Sequence, residues 1–276
     1  MIGALVIVFR EVIEAGLIIG IVLAATRGVS GRGRFVSLGV LAGVAGASVV
    51  AAFAGAISDA FAGSGQELLN ATVLLIAVGM LMWHNAWMAA HGREMAAQMR
   101  AVGKAVTVGE RPLIALAVVV GVAVLREGSE VVLFLYGIVA TGTSQSALLA
   151  GGMLGLLAGV AFTALTYVGL LAIPTRYIFS VTSVLIALLA AGMAAQAVHF
   201  LDAAGLVTTM QGQLWDTSPW LPQDSLLGKL LHTLIGYTDR PTQLQLAAYV
   251  ATIVAMMLLM RIAGHGRTRE RAVPAE

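Results

Sequence analysis

The sequence predicts an all-α integral membrane protein: seven transmembrane helices, arranged as two inverted three-helix repeats plus a seventh helix, with the N-terminus outside and the C-terminus inside. Three observations carry this prediction. Of 276 residues, 59% are hydrophobic and only 11% charged, where a soluble domain carries roughly 25% charged residues. Mean hydropathy is +0.93. Seven apolar stretches of 20 to 28 residues recur along the chain, and the basic residues between them are sorted by side.

The stretches lie near 3–25, 35–58, 67–91, 112–139, 146–173, 177–201 and 244–263. About 20 helical residues rising 1.5 Å each cross a hydrocarbon core of about 30 Å, so each suffices. The first begins two residues after Met1, with neither a basic leader nor a small-residue cleavage site, and reads as a retained helix rather than a signal peptide. Basic residues near helix ends stay cytoplasmic. With the N-terminus outside, Arg27, Arg32 and Arg34, then Arg93, Arg100, Lys104 and Arg111, then Arg176, then Arg261, Arg267, Arg269 and Arg271 fall inside, 12 of the 16 basic residues. Lys229 and Arg240 fall outside, and Arg10 and Arg126 lie within helices.

Composition also excludes function classes. Without cysteine there is no disulfide framework, thiolate metal site, cysteine nucleophile or iron–sulfur cluster. The net charge of +2 is spread over loops, not over a groove-reading element, so nucleic acid is not a partner class.

Helix one contains Arg10-Glu11-Val12-Ile13-Glu14 and helix four contains Arg126-Glu127-Gly128-Ser129-Glu130, the same R-E-x-x-E pattern 116 residues apart. Helical spacing puts Arg10, Glu11 and Glu14 on one side of their helix, and their counterparts likewise. Both clusters fall near mid-span. A lone charge at the bilayer centre costs about 2.5–3.5 kcal/mol, so the six must face one another or water. Two structural ion pairs would account for one carboxylate per cluster and leave the other without a counter-charge. The surplus calls for a cation. Glu11, Glu14, Glu127 and Glu130 offer hard oxygens of the kind that suit calcium, magnesium, manganese or either oxidation state of iron. With both arginines charged the cluster sums to −2, which a divalent ion neutralises and a trivalent ion turns to +1.

The repeat reading rests on that pair and on Ala77-Val78-Gly79-Met80 against Ala190-Ala191-Gly192-Met193, offset by 113 residues. An odd number of helices per repeat inverts the second copy and puts the site at the interface. The domain reading is thus one transport domain over 1–263, with repeat one about 1–91, repeat two about 112–201, an outer loop about 202–243, helix seven about 244–263 and a cytoplasmic tail 264–276. Gly39 and Gly43, and Gly151, Gly155 and Gly159, have GxxxG spacing. The spacing serves packing within the chain, oligomer contacts or neither.

In the outer loop, Asp224-Ser225 precedes Leu226, Leu227, Leu230, Leu231, Leu234 and Ile235, which predicts a short amphipathic helix lying in the interface among tryptophans. The alternative is a docking lid for a partner or a metal funnel built from Asp202, Asp216, Asp224, His232 and Asp239. His84, His91 and His199 read as helix-end interface residues, and Met80, Met82 and Met88 as ordinary membrane-helix methionines.

Two R-E-x-x-E copies in helices one and four of a seven-helix chain resemble the oxidase-dependent iron permease family, which includes fungal high-affinity ferric permeases and bacterial EfeU proteins. Ala197-Val198-His199 and the segment from Leu214-Trp215-Asp216 to Gly236-Tyr237 extend the resemblance. The family motif is commonly REGLE; here the copies are REVIE and REGSE, so Arg and both Glu are kept. The resemblance implies that Glu11, Glu14, Glu127 and Glu130 bind iron in transit and that Arg10 and Arg126 share the path. It implies a multi-pass protein of the inner (cytoplasmic) membrane, not an enzyme, that imports iron as its substrate and has no cofactor. It further implies ferric iron delivered by an extracytoplasmic iron-oxidising or iron-delivering protein. The chain has no E-x-x-H or H-E-x-x-H ligand pair with which to oxidise iron itself. The rival readings are a proton-linked transporter of another cation or small polar solute and a membrane enzyme using paired carboxylates as acid and base.

Overall fold

The computed structural model describes residues 1–60, 66–169 and 175–270, and within them the chain forms eight helices. They are α1 (Ile2–Ala25), α2 (Arg32–Ala60), α3 (Gln66–Thr107), α4 (Ile114–Ala140), α5 (Gln145–Tyr167), α6 (Thr175–Ala203), α7 (Leu226–Ile235) and α8 (Gln243–Glu270). Every predicted span is a helix, and the predicted interfacial helix is α7.

Three boundaries differ from the sequence reading. α3 runs on to Thr107 instead of ending near 91, because 92–107 is rich in Ala, Met, Gln, Arg and Lys, all good helix formers. It stops only where Gly109, at φ +80°, and then Pro112 intervene. α5 ends at Tyr167, with Gly169 at φ +80° just beyond; positions 170–173 of the predicted span lie outside the described residues. α8 continues to Glu270, so half of the expected tail is helical, and 271–276 lie outside the described residues.

Among the described residues, five helices are long and apolar enough to cross a membrane: Arg32–Ala56, Gln66–Met88, Gln145–Tyr167, Phe179–Ala203 and Gln243–Ile262. α1 and α4, of 24 and 27 residues, have the length but carry three charges each. The flanks of the bundle are apolar. Leu149 and Leu157 on α5, Leu41 and Phe53 on α2, and Val254 on α8 are exposed, as expected where lipid is the solvent.

The bundle is held by an exchange between halves: α1 packs along α5, and α2 along α4. The glycine spacing explains both contacts. A Cβ on Gly39 would stand 2.5 Å from the Ala117 carbonyl oxygen, and one on Gly43 would stand 2.8 Å from that of Gly121. On the other side, Gly155 faces the Leu5 oxygen at 2.6 Å and Gly159 faces the Val12 side chain at 2.8 Å, while Gly151 abuts the Met1 carbonyl. Residue numbers rise together along each pair, so each runs parallel. These are close small-residue crossings of the kind that substitute for a hydrophobic drive in lipid. The GxxxG glycines therefore serve packing within the chain.

α3 and α6 close the bundle around a core of Ile7, Leu74, Leu81, Phe134, Ile186 and Met256. The end of α1 is tied down twice. Arg32 Nη1 donates to the Leu23 oxygen at 2.8 Å, and the Thr107 hydroxyl donates to the Ala25 oxygen at 3.1 Å, which satisfies carbonyls that a helix end leaves open.

Candidate metal centre

Both R-E-x-x-E motifs point into the bundle and meet. On α1, Arg10 Nε lies 3.0 Å from Glu14 Oε1, and its Nη1 lies 3.2 Å from Glu11 Oε1. On α4, Arg126 Nε lies 3.1 Å from Glu130 Oε1 and 3.8 Å from Glu127 Oε1. The i,i+4 pair is thus made identically in both copies, and each arginine is shared with the second carboxylate. All three α1 residues and Glu127 are at most 3% exposed. The sequence placed these six residues correctly on common helix faces.

The copies are not equivalent in their surroundings. Arg10 is 2% exposed, whereas the Arg126 side chain is 34% exposed. The Arg126 guanidinium lies over the Trp87 ring, 4.1 Å from its centroid, a cation–π contact. Trp87 in turn stacks on His91 at 5.0 Å.

One residue of the cluster was misread from sequence. His84 is not a helix-end interface residue; α3 carries it 3% exposed into the centre, between the two motifs. Its Nε2 is 3.7 Å from Glu11 Oε2 and 3.5 Å from Glu14 Oε2, and its Nδ1 meets Glu130 Oε2. Phe134 presses edge-on at 6.4 Å. α3 continues past 91 to Thr107, so His84 is an interior position of its helix and not an end.

Glu11, His84, Glu127 and Glu130 each offer one ligand atom, all within 4.8 Å of one another. Glu127 Oε2 has no partner, and the Oε2 atoms of Glu11 and Glu14 have only His84 Nε2, at 3.7 and 3.5 Å, whereas Glu14 Oε1 is held by Arg10 and Glu130 Oε2 by His84. A buried carboxylate oxygen without a partner is costly unless a cation takes it. The donor set, hard oxygen plus one imidazole, suits a divalent or trivalent first-row metal.

A cavity of about 570 Å³ lies between α2, α3, α4 and α6. Its lining is mostly apolar, with Gln66, Asn70, Tyr136 and Gln196 among the polar side chains on it, and it reaches Ala77 and Met80, the latter one helical turn from His84. The lining includes Gln66, Thr141, Gly142 and Phe200, at the helix ends nearest the 204–242 connection.

That connection is built as a closed unit. Ser225 caps α7, accepting from Gly228 N at 3.0 Å, and Gly236 ends it at φ +68°. Gly236 meets Gly192 of α6 backbone to backbone, leaving no room for a Cβ on either. Tyr237 donates to the Leu221 oxygen at 2.8 Å, and Asp239 Oδ2 accepts from Gln223 N at 3.2 Å. Asp216 accepts from Ser218 and pairs with Arg240 at 3.2 Å. These hydrogen bonds, with a smaller contribution from Arg240, hold the Asp216 carboxyl below its usual range. His232 Nδ1 is engaged by the Tyr237 oxygen at 2.7 Å. Among the described residues, Asp202, Asp216, Asp224, His232 and Asp239 do not gather their ligand atoms within 4.8 Å of one another as the central cluster does.

Against known families, residues 1–264 match the iron permease FTR1 family. The ferrous iron permease EfeU of Escherichia coli O6:K15:H31 is 32% identical over 97% of this chain and 98% of its own length. The proteins of the same name from Shigella sonnei and Yersinia pestis are 31% and 28% identical, over 91% and 92% of this chain and 92% and 90% of theirs. No solved structure matches. With two R-E-x-x-E motifs converging inside an apolar helical bundle, and a family match that runs almost from end to end, the chain belongs to the iron permease FTR1 family and is a multi-pass membrane transporter, not an enzyme.

Proposed function

We propose that the protein imports iron across the cytoplasmic membrane through one central site at which Glu11, Glu14, Glu127 and Glu130 exchange water for carboxylate oxygens. The observation that carries this is the convergence of four largely buried carboxylates from two motifs 116 residues apart, with more acid than the two arginines balance and Glu127 Oε2 left without a partner. Family membership and the EfeU relatives supply iron as the cargo.

The topology proposed is seven spans, N-out and C-in, as a single transport domain of two inverted three-helix repeats. Reciprocal parallel packing of α1 on α5 and of α2 on α4 supports it, since the chain must then alternate direction in step. A reporter fused after residue 276 and active only on the external side would overturn the orientation.

In this frame the 570 Å³ cavity is the outer approach, and Arg126 over Trp87 lies on the inner side of the carboxylates. The arginines pair with the empty carboxylates and give them up as the metal arrives. Arg126, the more exposed of the two, is the one with an alternative seat. The membrane potential supplies about 2.3 kcal/mol per charge per 100 mV, or about 7 kcal/mol for a trivalent ion, so coupling to a second ion is not required.

The finer reading carried by the family resemblance is ferric iron, handed over outside by an oxidising partner. A second reading, ferrous iron, has its own observation: four glutamates and two arginines sum to −2, which a divalent ion neutralises, and the EfeU relatives are named for ferrous iron. Cells expressing the protein are given iron held ferrous with ascorbate or ferric with citrate. Accumulation above that of cells lacking the protein is expected, and the preferred form decides the oxidation state. Accumulation no higher than in those cells with either form would overturn import.

A further inference from the structure

We propose that His84 is a direct nitrogen ligand of the transported iron and the residue that separates iron from magnesium and calcium. The inference deepens the reading above and rests on the carboxylate cluster being the iron site. Four carboxylates alone cannot make the distinction, because hard oxygen sets serve magnesium, calcium and manganese equally well. An imidazole nitrogen shifts the preference toward iron and its later neighbours in the first transition row.

The position of His84 meets what a ligand requires. The ring is buried with the motifs on both of its edges, Nε2 toward Glu11 and Glu14 and Nδ1 toward Glu130. Nδ1 is held by the Glu130 carboxylate, while Nε2 has carboxylate oxygens no nearer than 3.5 Å, so Nε2 is the edge a metal can take. A metal taken on one edge leaves the other N–H against a carboxylate, the arrangement that orients metal-bound imidazoles. The candidate ligand atoms of Glu11, His84, Glu127 and Glu130 lie within 4.8 Å of one another. Opposite ligands of an ion with bonds near 2.1 Å stand about 4.2 Å apart, so a small contraction closes the shell.

Duplication does not supply this group. The position 113 residues on from His84 is Ala197, fully buried in the core. The carboxylates are twofold and the nitrogen is single. The site thus has one edge that distinguishes metals, added to a symmetric cradle that attracts any hard cation.

The test uses the purified full-length protein in liposomes, with radiolabelled Fe²⁺ uptake measured against rising Mg²⁺ or Ca²⁺, for the parent, His84→Gln and Glu11→Gln. His84→Gln is expected to lose at least about 10-fold in the excess of Mg²⁺ or Ca²⁺ needed to halve uptake, the scale on which metal-site changes act. Glu11→Gln is expected to lose uptake itself. If Glu11→Gln fails while His84→Gln keeps parental rate and discrimination, the inference is wrong and the site reading stands. If Glu11→Gln transports at the parental rate, the site reading falls and takes the inference with it. Should His84→Gln not insert, Cu²⁺ EPR on the protein carrying His91, His199, His232 and His265 all as asparagine decides. Nitrogen superhyperfine coupling from the one remaining histidine is expected, and its absence would overturn the proposal.

Discussion

Replacing Gly155 with alanine is the perturbation whose outcome the helix packing fixes most tightly. A Cβ there would stand 2.6 Å from the Leu5 oxygen, 3.0 Å from the Phe9 nitrogen and 3.1 Å from the Val8 Cβ. The nearest partners are backbone atoms, so no side chain can swing aside. To move from 2.6 Å to the 3.4 Å where ordinary contact begins, α1 must retreat by about 0.8 Å. Alanine is the better helix former by about 1 kcal/mol, and overpacking costs about 1–3 kcal/mol, so the net effect expected is destabilisation of up to about 2 kcal/mol. The retreat also carries Arg10, Glu11 and Glu14, which follow Phe9 directly. Shifts approaching 1 Å at a reacting centre can cost about 100-fold, and a fall of at least about 10-fold in iron uptake is expected. Gly79 on α3 is the control, because a Cβ there meets nothing within 4 Å. Gly79→Ala should keep parental uptake and gain stability from propensity alone. The assays are thermal unfolding in detergent and uptake in liposomes at equal protein load. Gly155→Ala matching Gly79→Ala in both would refute the packing argument.

Three further outcomes follow from the same structure. Trp87→Leu removes the ring under Arg126, a contact of about 0.5–2 kcal/mol, and is expected to slow initial iron uptake by about 2- to 30-fold at unchanged membrane insertion. Ser225→Ala removes the cap of α7, a loss of about 1 kcal/mol, and should lower amide protection over 226–235 roughly five-fold by hydrogen exchange. Arg240→Ala breaks an exposed pair, with side chains 58% and 40% exposed, and should change stability by less than about 1 kcal/mol and leave uptake at the parental rate. Asp216, held below its usual range mainly by Ser218, contributes at neutral pH and loses that contribution as pH falls through its lowered value. Its NMR titration in Arg240→Ala should move only slightly upward.

The helices were legible because each is an apolar run bounded by glycine, proline or charge, and the paired motif was legible because chance rarely repeats three ionisable residues at membrane depth. The partner of each glycine stripe was not legible. Spacing says that Gly151, Gly155 and Gly159 share a face, and only the fold says that the face meets α1. His84 escaped for two physical reasons. It has no duplicate, with Ala197 standing at its offset, and its helix runs on as far as Thr107, which hides a central position behind an apparent end. Trp87 escaped because an aromatic residue near a span boundary reads as an interface anchor until the arginine lying over it is seen.

The central claim is that the two motifs form one iron site, and radiolabelled iron uptake into liposomes by the parent, Glu11→Gln and Glu127→Gln tests it most directly. These two carboxylates come from different helices, and both are buried within the cluster. Loss of uptake in both variants, each inserted and folded as the parent, is the result predicted. Parental uptake in either one would contradict a single shared site.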